Sequence, residues 1–106
     1  TEYSRKAALY LIEIYSNRKD EGKVTFYLNK IKGTKEYNTA MTMIGDLYVT
    51  KENYEKALDY YNQSNDKNNP KLIYGEAYSL YKKGKYEEAL KKFQSLKNSD
   101  YYNQSS

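Results

Sequence analysis

A short sequence pattern that occurs twice limits the folds that this chain can adopt. Residues 50–61 read TKENYEKALDYY and residues 82–93 read KKGKYEEALKKF. Each copy places a tyrosine, an alanine and a second aromatic residue at the same spacing, after a polar, turn-forming stretch. Self-similarity at a period of about 20–50 residues is typical of an array of repeated units that bury their apolar faces against one another. We therefore expect a solenoid and look for its unit.

The second copy divides into two segments with helical periodicity. Asn69 and Pro70 are a favourable helix start, because Asn can cap free N–H groups and Pro needs no donor at the first helical position. Gly84 is suited to the left-handed conformation that ends a helix. Apolar or small residues recur on one face of the first helix at Ile73, Ala77 and Leu80, and on the next at Tyr86, Ala89, Leu90, Phe93 and Leu96.

The first copy follows the same plan, and a weaker copy precedes it. Between the two helices of the first copy, Asn53 is predicted to take the place of the helix-ending glycine. Its apolar or small positions are Met41, Ile44, Gly45 and Tyr48, then Tyr54, Ala57, Leu58 and Tyr61. Those of the weaker copy are Ala8, Leu11, Ile12 and Tyr15, then Val24, Leu28 and Ile31.

The sequence thus predicts an all-α chain, a right-handed α-solenoid of about three helix–turn–helix hairpins. Their bounds are about 4–33, 35–66 and 69–98, within a single segment covering residues 1–106. Residues 99–106, in which Asp100 could cap a further helix, are predicted to begin another repeat or to form a tail. We accordingly expect a fragment of a longer array.

These residues resemble the tetratricopeptide repeat, a helix–turn–helix unit of about 34 residues. Gly45 and Ala77 match the family's small residue in the first helix, and Ala57 and Ala89 match the alanine of the second. The aromatic positions around that alanine hold Tyr54, Tyr86, Tyr61 and Phe93. The sequence of residues 74–106 is also similar to tetratricopeptide segments of bacterial cell-envelope proteins. The location of the protein stays open between the bacterial periplasm or cell envelope and the cytoplasm.

The resemblance implies a concave groove lined by the first helix of each hairpin. It assigns to that groove Leu9, Glu13 and Ser16, then Thr42, Asp46 and Val49, then Lys71, Tyr74, Tyr78, Tyr81 and Lys82. Tyrosine offers contact area at low entropic cost together with a hydroxyl group. The favoured function is therefore a non-catalytic scaffold that binds a protein or peptide partner. The alternative reading of the tyrosines is that neighbouring helices or a further repeat cover them, and self-association through them is also left open.

The amino-acid composition disfavours several classes of function. The chain has no histidine and no cysteine, so it lacks the commonest general base and the best nucleophile, and we predict no catalytic residue, metal site or cofactor. The net charge of +4 is weak and mixed in sign, which disfavours nucleic acid as a partner. In that alternative function, Tyr74, Tyr78 and Tyr81 would stack on bases while Lys71, Lys82, Lys83 and Lys85 would contact phosphates.

The resemblance also excludes one class of protein partner. Tetratricopeptide proteins that bind the acidic tails of heat-shock chaperones use a clamp of Lys, Arg and Asn at fixed groove positions. Those positions hold Leu9, Glu13, Met43 and Gly75 here, and only Lys71 fits. We therefore expect no binding of such tails.

Overall fold

A computed structural model describes residues 1–97 of the 106-residue chain, and these residues contain six α-helices and no β-strand. The helices are α1 (Glu2–Asn17), α2 (Glu21–Ile31), α3 (Lys35–Thr50), α4 (Tyr54–Gln63), α5 (Pro70–Lys82) and α6 (Tyr86–Leu96). They form three consecutive hairpins, which confirms the predicted all-α array. Asp100 and the predicted further repeat at 99–106 lie outside the described residues.

Most helices begin at a polar side chain that accepts a backbone hydrogen bond. Asn69 caps α5 by accepting from the N–H of Lys71, and Pro70 occupies the first turn. Thr1, Asp20, Thr34 and Asn53 cap α1 to α4 in the same manner. These bonds satisfy donors that would have no partner within the helix, so local sequence sets where each of these helices starts.

The turn inside each hairpin contains one residue with a positive φ. Gly84 takes this conformation in the third hairpin, as predicted, with φ of 81°. In the second hairpin the residue is Glu52, with φ of 60°, and in the first it is Lys19, with φ of 61°. The prediction for Asn53 was wrong, because its side chain is engaged in capping α4 through the N–H of Lys56.

Successive hairpins pack on one another in chain order. The first helix of each hairpin packs on its own partner and on the first helix of the preceding hairpin, so α1, α3 and α5 follow one another. One buried cluster joins the first two hairpins and contains Ala8, Ile12, Val24, Ile31, Ala40, Met41 and Ile44. A second cluster joins α4 to α5 and contains Ala57, Tyr61 and Leu72.

The last hairpin differs from the predicted core in its apolar faces. Leu72 is fully buried in α5 whereas Ile73 is only half-buried, because the side of α5 that bears Leu72 packs on the preceding hairpin. Tyr86 and Leu90 of α6 are 63% and 51% exposed. Within residues 1–97, α6 packs only on α5, so its outer side is uncovered.

None of the six helices combines the length and the apolar character that crossing a bilayer requires.

Candidate functional site

Tyr61 lies where α3, α4 and α5 meet, and its side chain is completely buried. Its ring occupies space that two glycines leave free. A Cβ atom at Gly45 of α3 would lie 2.4 Å from Cε1 of Tyr61, and one at Gly75 of α5 would lie 2.3 Å from its hydroxyl oxygen. Both distances are far shorter than a van der Waals contact, so this ring requires glycine on both neighbouring helices.

The Tyr61 hydroxyl group donates a hydrogen bond of 2.5 Å to Oδ1 of Asp46. Asp46 belongs to α3 and is half-buried. A buried phenol usually needs a polar partner, and here the partner is a carboxylate at the side of α3 that faces α5. The bond therefore connects the core of the second hairpin to the surface between the two helices.

Burial raises the pKa of Tyr61 well above its usual range near 10. The hydrogen bond to Asp46 and the negative charge of that carboxylate raise the pKa further. All of these causes oppose formation of the phenolate ion, so the folded protein holds the Tyr61 proton more tightly than the unfolded chain does.

Alkaline conditions should consequently destabilise the protein through Tyr61. Above pH of about 10 the unfolded chain loses this proton and the folded protein keeps it, so the free energy of unfolding falls as pH rises. Between pH 10 and 11 we expect the wild type to lose about 1 kcal/mol more than Tyr61→Phe, which has no hydroxyl group to titrate. Urea unfolding across this range measures the difference, and equal losses in the two proteins would contradict the prediction.

Two adjoining depressions run along the first helices of the hairpins, and together we call them the groove. The first has a volume of about 480 Å³ and lies between α3 and α5. It is lined by Asp46, Val49, Thr50, Tyr61, Pro70, Lys71, Tyr74, Gly75, Tyr78 and Leu96. The second, of about 420 Å³, extends towards α1 and is lined by Glu13, Thr39, Thr42, Met43, Asp46, Leu47, Thr50, Asn69 and Lys71. Asp46 stands where the two depressions join.

The tyrosine pair of α5 forms one wall of the first depression. The rings of Tyr74 and Tyr78 are nearly parallel, with centroids 6.4 Å apart. Tyr78 also contacts the ring of Tyr54 at 6.1 Å, and Tyr74 contacts the ring of Phe93 at 6.1 Å. Tyr74 is nevertheless 58% exposed. The two rings are thus held in place by α4 and α6 while they keep free surface towards the groove.

The structure brings together most of the residues predicted for the groove. Asp46, Val49, Lys71, Tyr74 and Tyr78 all line the first depression. Sequence analysis did not identify the hydroxyl group of Tyr61 or the role of Gly75 as part of this site. The sequence contains one local sign that the hydroxyl group of Tyr61 has a role: Tyr61 occupies the position at which the next copy of the repeat has a phenylalanine, Phe93.

Four residues predicted for the groove line neither depression, and one that lines the second depression is buried: Leu9, Ser16, Tyr81 and Lys82 lie outside, and Thr42 is the buried one. Thr42 is buried, and its hydroxyl group donates to the carbonyl oxygen of Asn38 at 3.3 Å, so it offers little to a partner. Tyr81 lines neither depression, because its ring packs against Tyr86 of α6 at 5.8 Å. Lys82 also lies outside both depressions, with its ammonium group 6.0 Å from the centroid of the Tyr78 ring.

The charges disfavour a nucleic-acid site at these residues. The groove contains the carboxylates of Glu13 and Asp46 beside the ammonium group of Lys71. Lys83 pairs with Glu55 at 3.1 Å. A site for phosphates would instead need several uncompensated basic groups along one surface.

A model of the tetratricopeptide repeat family matches residues 70–96, which cover α5 and α6. The last hairpin is a tetratricopeptide repeat. The two preceding hairpins have the same helix–turn–helix form. No curated protein and no solved structure matches the sequence. Tetratricopeptide repeats serve in general as non-catalytic scaffolds for protein–protein interaction, and the arrangement of this chain is consistent with that role.

Proposed function

We propose that this chain is an array of tetratricopeptide repeats that binds a segment of a partner protein in the groove, with Tyr74 and Tyr78 as its main apolar contacts. The observation that carries the proposal is the depression of about 480 Å³ in which these two stacked rings form one wall. Its size lies within the range of about 300–1,000 Å³ that is usual for binding pockets. Because the rings are already held by Phe93 and Tyr54, little side-chain entropy is lost when a partner covers them.

Replacing Tyr78 with alanine should weaken partner binding by about thirtyfold, since a central aromatic anchor typically contributes about 2 kcal/mol. The probe is a peptide selected from a random display library on the immobilised chain and mapped to the groove by NMR. Its affinity is measured by isothermal titration calorimetry, and the melting temperature of the variant is recorded beside it.

The matched control is Tyr10→Ala on α1, whose side chain is 70% exposed and lines neither depression of the groove. This variant should bind the peptide like the wild type. A Tyr78→Ala protein that melts at a much lower temperature but binds with unchanged affinity would show that the ring is structural, and the groove proposal would then be abandoned. Binding of a single-stranded oligonucleotide that displaces the peptide and falls by orders of magnitude as salt increases would favour the nucleic-acid alternative.

Self-association stays a prediction from the sequence. Exposed tyrosines stand at both ends of the described array, with Tyr3 of α1 81% exposed and Tyr86 of α6 63% exposed. Sedimentation velocity over a range of concentrations measures the oligomeric state. A single monomeric species throughout that range would exclude self-association.

A further inference from the structure

The groove differs in charge from the protein as a whole. The chain carries a net charge of +4. Among the residues that line the two depressions, however, the acidic side chains are Glu13 and Asp46 and the basic one is Lys71. Lys71 is exposed to solvent and long enough to keep its ammonium group in water. The groove therefore carries two carboxylates and one ammonium group, an excess of one negative charge on a protein whose net charge is positive.

Asp46 has a geometry suited to receiving a cation. Oδ1 accepts the hydrogen bond from the buried hydroxyl group of Tyr61. Within residues 1–97, Oδ2 has no hydrogen-bond or ion-pair partner. Because the ring of Tyr61 is completely buried, its hydroxyl group offers the carboxylate a fixed hydrogen-bond donor that orients it before any ligand arrives. A pre-oriented, half-buried carboxylate forms a stronger charge-assisted hydrogen bond than a freely rotating surface carboxylate does.

The aromatic wall beside Asp46 is suited to the same kind of ligand. The rings of Tyr74 and Tyr78 line the depression that contains Asp46. Aromatic faces attract ammonium and guanidinium groups and also cover the methylene stems of lysine and arginine. The chain itself shows this contact at Tyr78, where the ammonium group of Lys82 lies 6.0 Å from the ring centroid.

We infer that the depression between α3 and α5 receives a basic side chain, lysine or arginine, from the partner segment. The cationic group pairs with Oδ2 of Asp46, and the aliphatic stem lies along the rings of Tyr74 and Tyr78. Tyr61 acts as a positioning residue, because it orients Asp46 without contacting the ligand. This inference rests on the proposed function and adds to it the chemistry of the side chain that the groove selects.

The test compares two small ligands of nearly equal shape. N-acetyl-argininamide carries a guanidinium group, and N-acetyl-citrullinamide replaces it with a neutral urea. Each is titrated into ¹⁵N-labelled protein while the amide signals of Asp46, Gly75 and Tyr78 are followed. We expect the arginine ligand to shift these signals, with an affinity about tenfold higher than that of the citrulline ligand, as the loss of one charge-assisted hydrogen bond implies.

Three protein variants test whether the preference for the arginine ligand depends on the carboxylate of Asp46. Asp46→Asn should bind both ligands with equal, weak affinity. Asp59→Asn removes an exposed carboxylate of α4 that lines neither depression of the groove, and it should keep the full preference for arginine. Tyr61→Phe should retain part of the preference, because the carboxylate is present but less well oriented.

The outcomes separate this inference from the proposed function. Equal affinities of the two ligands for the wild type, or an arginine preference that persists in Asp46→Asn, would overturn the inference. Library-selected peptides that map to the groove but contain no basic residue would also overturn it while leaving the proposed function in place. Selected peptides that map elsewhere on the protein, together with arginine-dependent shifts at Asp46, would support the cation site and contradict the proposed function.

Discussion

Replacing Tyr61 with alanine should lower the free energy of unfolding by about 3–5 kcal/mol. The ring is completely buried where three helices meet, so its removal leaves a cavity in the interior. The walls of that cavity include Gly45 and Gly75, which have no side chains that could move into it. The cost should therefore lie near the upper end of this range, a large fraction of the stability of about 5–15 kcal/mol that is usual for a domain.

Urea unfolding followed by circular dichroism measures the loss for Tyr61→Ala. Tyr3→Ala is the matched control, because Tyr3 is 81% exposed and its removal should change stability by less than about 0.5 kcal/mol. If both variants lost the same small amount, the helix junction described for Tyr61 would be wrong.

Replacing Gly75 with alanine should also destabilise the protein, by about 1–3 kcal/mol. Alanine is normally preferred over glycine inside a helix by about 1 kcal/mol, so the expected effect has the opposite sign from helix propensity. The reason is the contact with Tyr61, since the added Cβ would lie 2.3 Å from the hydroxyl oxygen and 2.4 Å from Cζ. Either α5 must move away from α3 and α4 or the ring must leave its position and its hydrogen bond with Asp46.

Gly22 provides the matched control for this change. It lies in α2, and a Cβ atom there would lie 3.7 Å from its nearest neighbour, Oδ1 of Asp20, which is an ordinary contact. Gly22→Ala should therefore leave stability unchanged or raise it by up to about 1 kcal/mol.

In a second test, Tyr61→Leu should relieve the clash with alanine at position 75. The changes at positions 61 and 75 should then cost less free energy of unfolding together than the sum of the single changes. Additive costs would show that the glycine has another role.

Local sequence patterns were sufficient to predict the helices and their order. Capping at Asn69, the positive φ at Gly84 and the buried alanines Ala57 and Ala89 all follow from interactions within one hairpin. Such features depend on the backbone preferences of single residues and on the helical period, so a single chain segment contains the information needed to predict them. The resemblance to the tetratricopeptide repeat added the prediction that Asp46, Tyr74 and Tyr78 share a groove, and all three line the depression between α3 and α5.

The side of each helix that meets another hairpin could not be predicted from the helical period, because it depends on how the hairpins pack together. Periodicity marked Ile73 as core, but contact with the preceding hairpin buries Leu72 instead. It marked Tyr86 and Leu90 as core as well, yet they are exposed because nothing else in the described part of the chain packs on that side of α6. The bond between Tyr61 and Asp46 joins α3 and α4 of the second hairpin through residues that are 15 positions apart in sequence. The need for glycine at position 75 arises from the distance between α4 and α5, which belong to successive hairpins. That distance depends on how the side chains of three helices fit together at once, and no local pattern in the sequence encodes it.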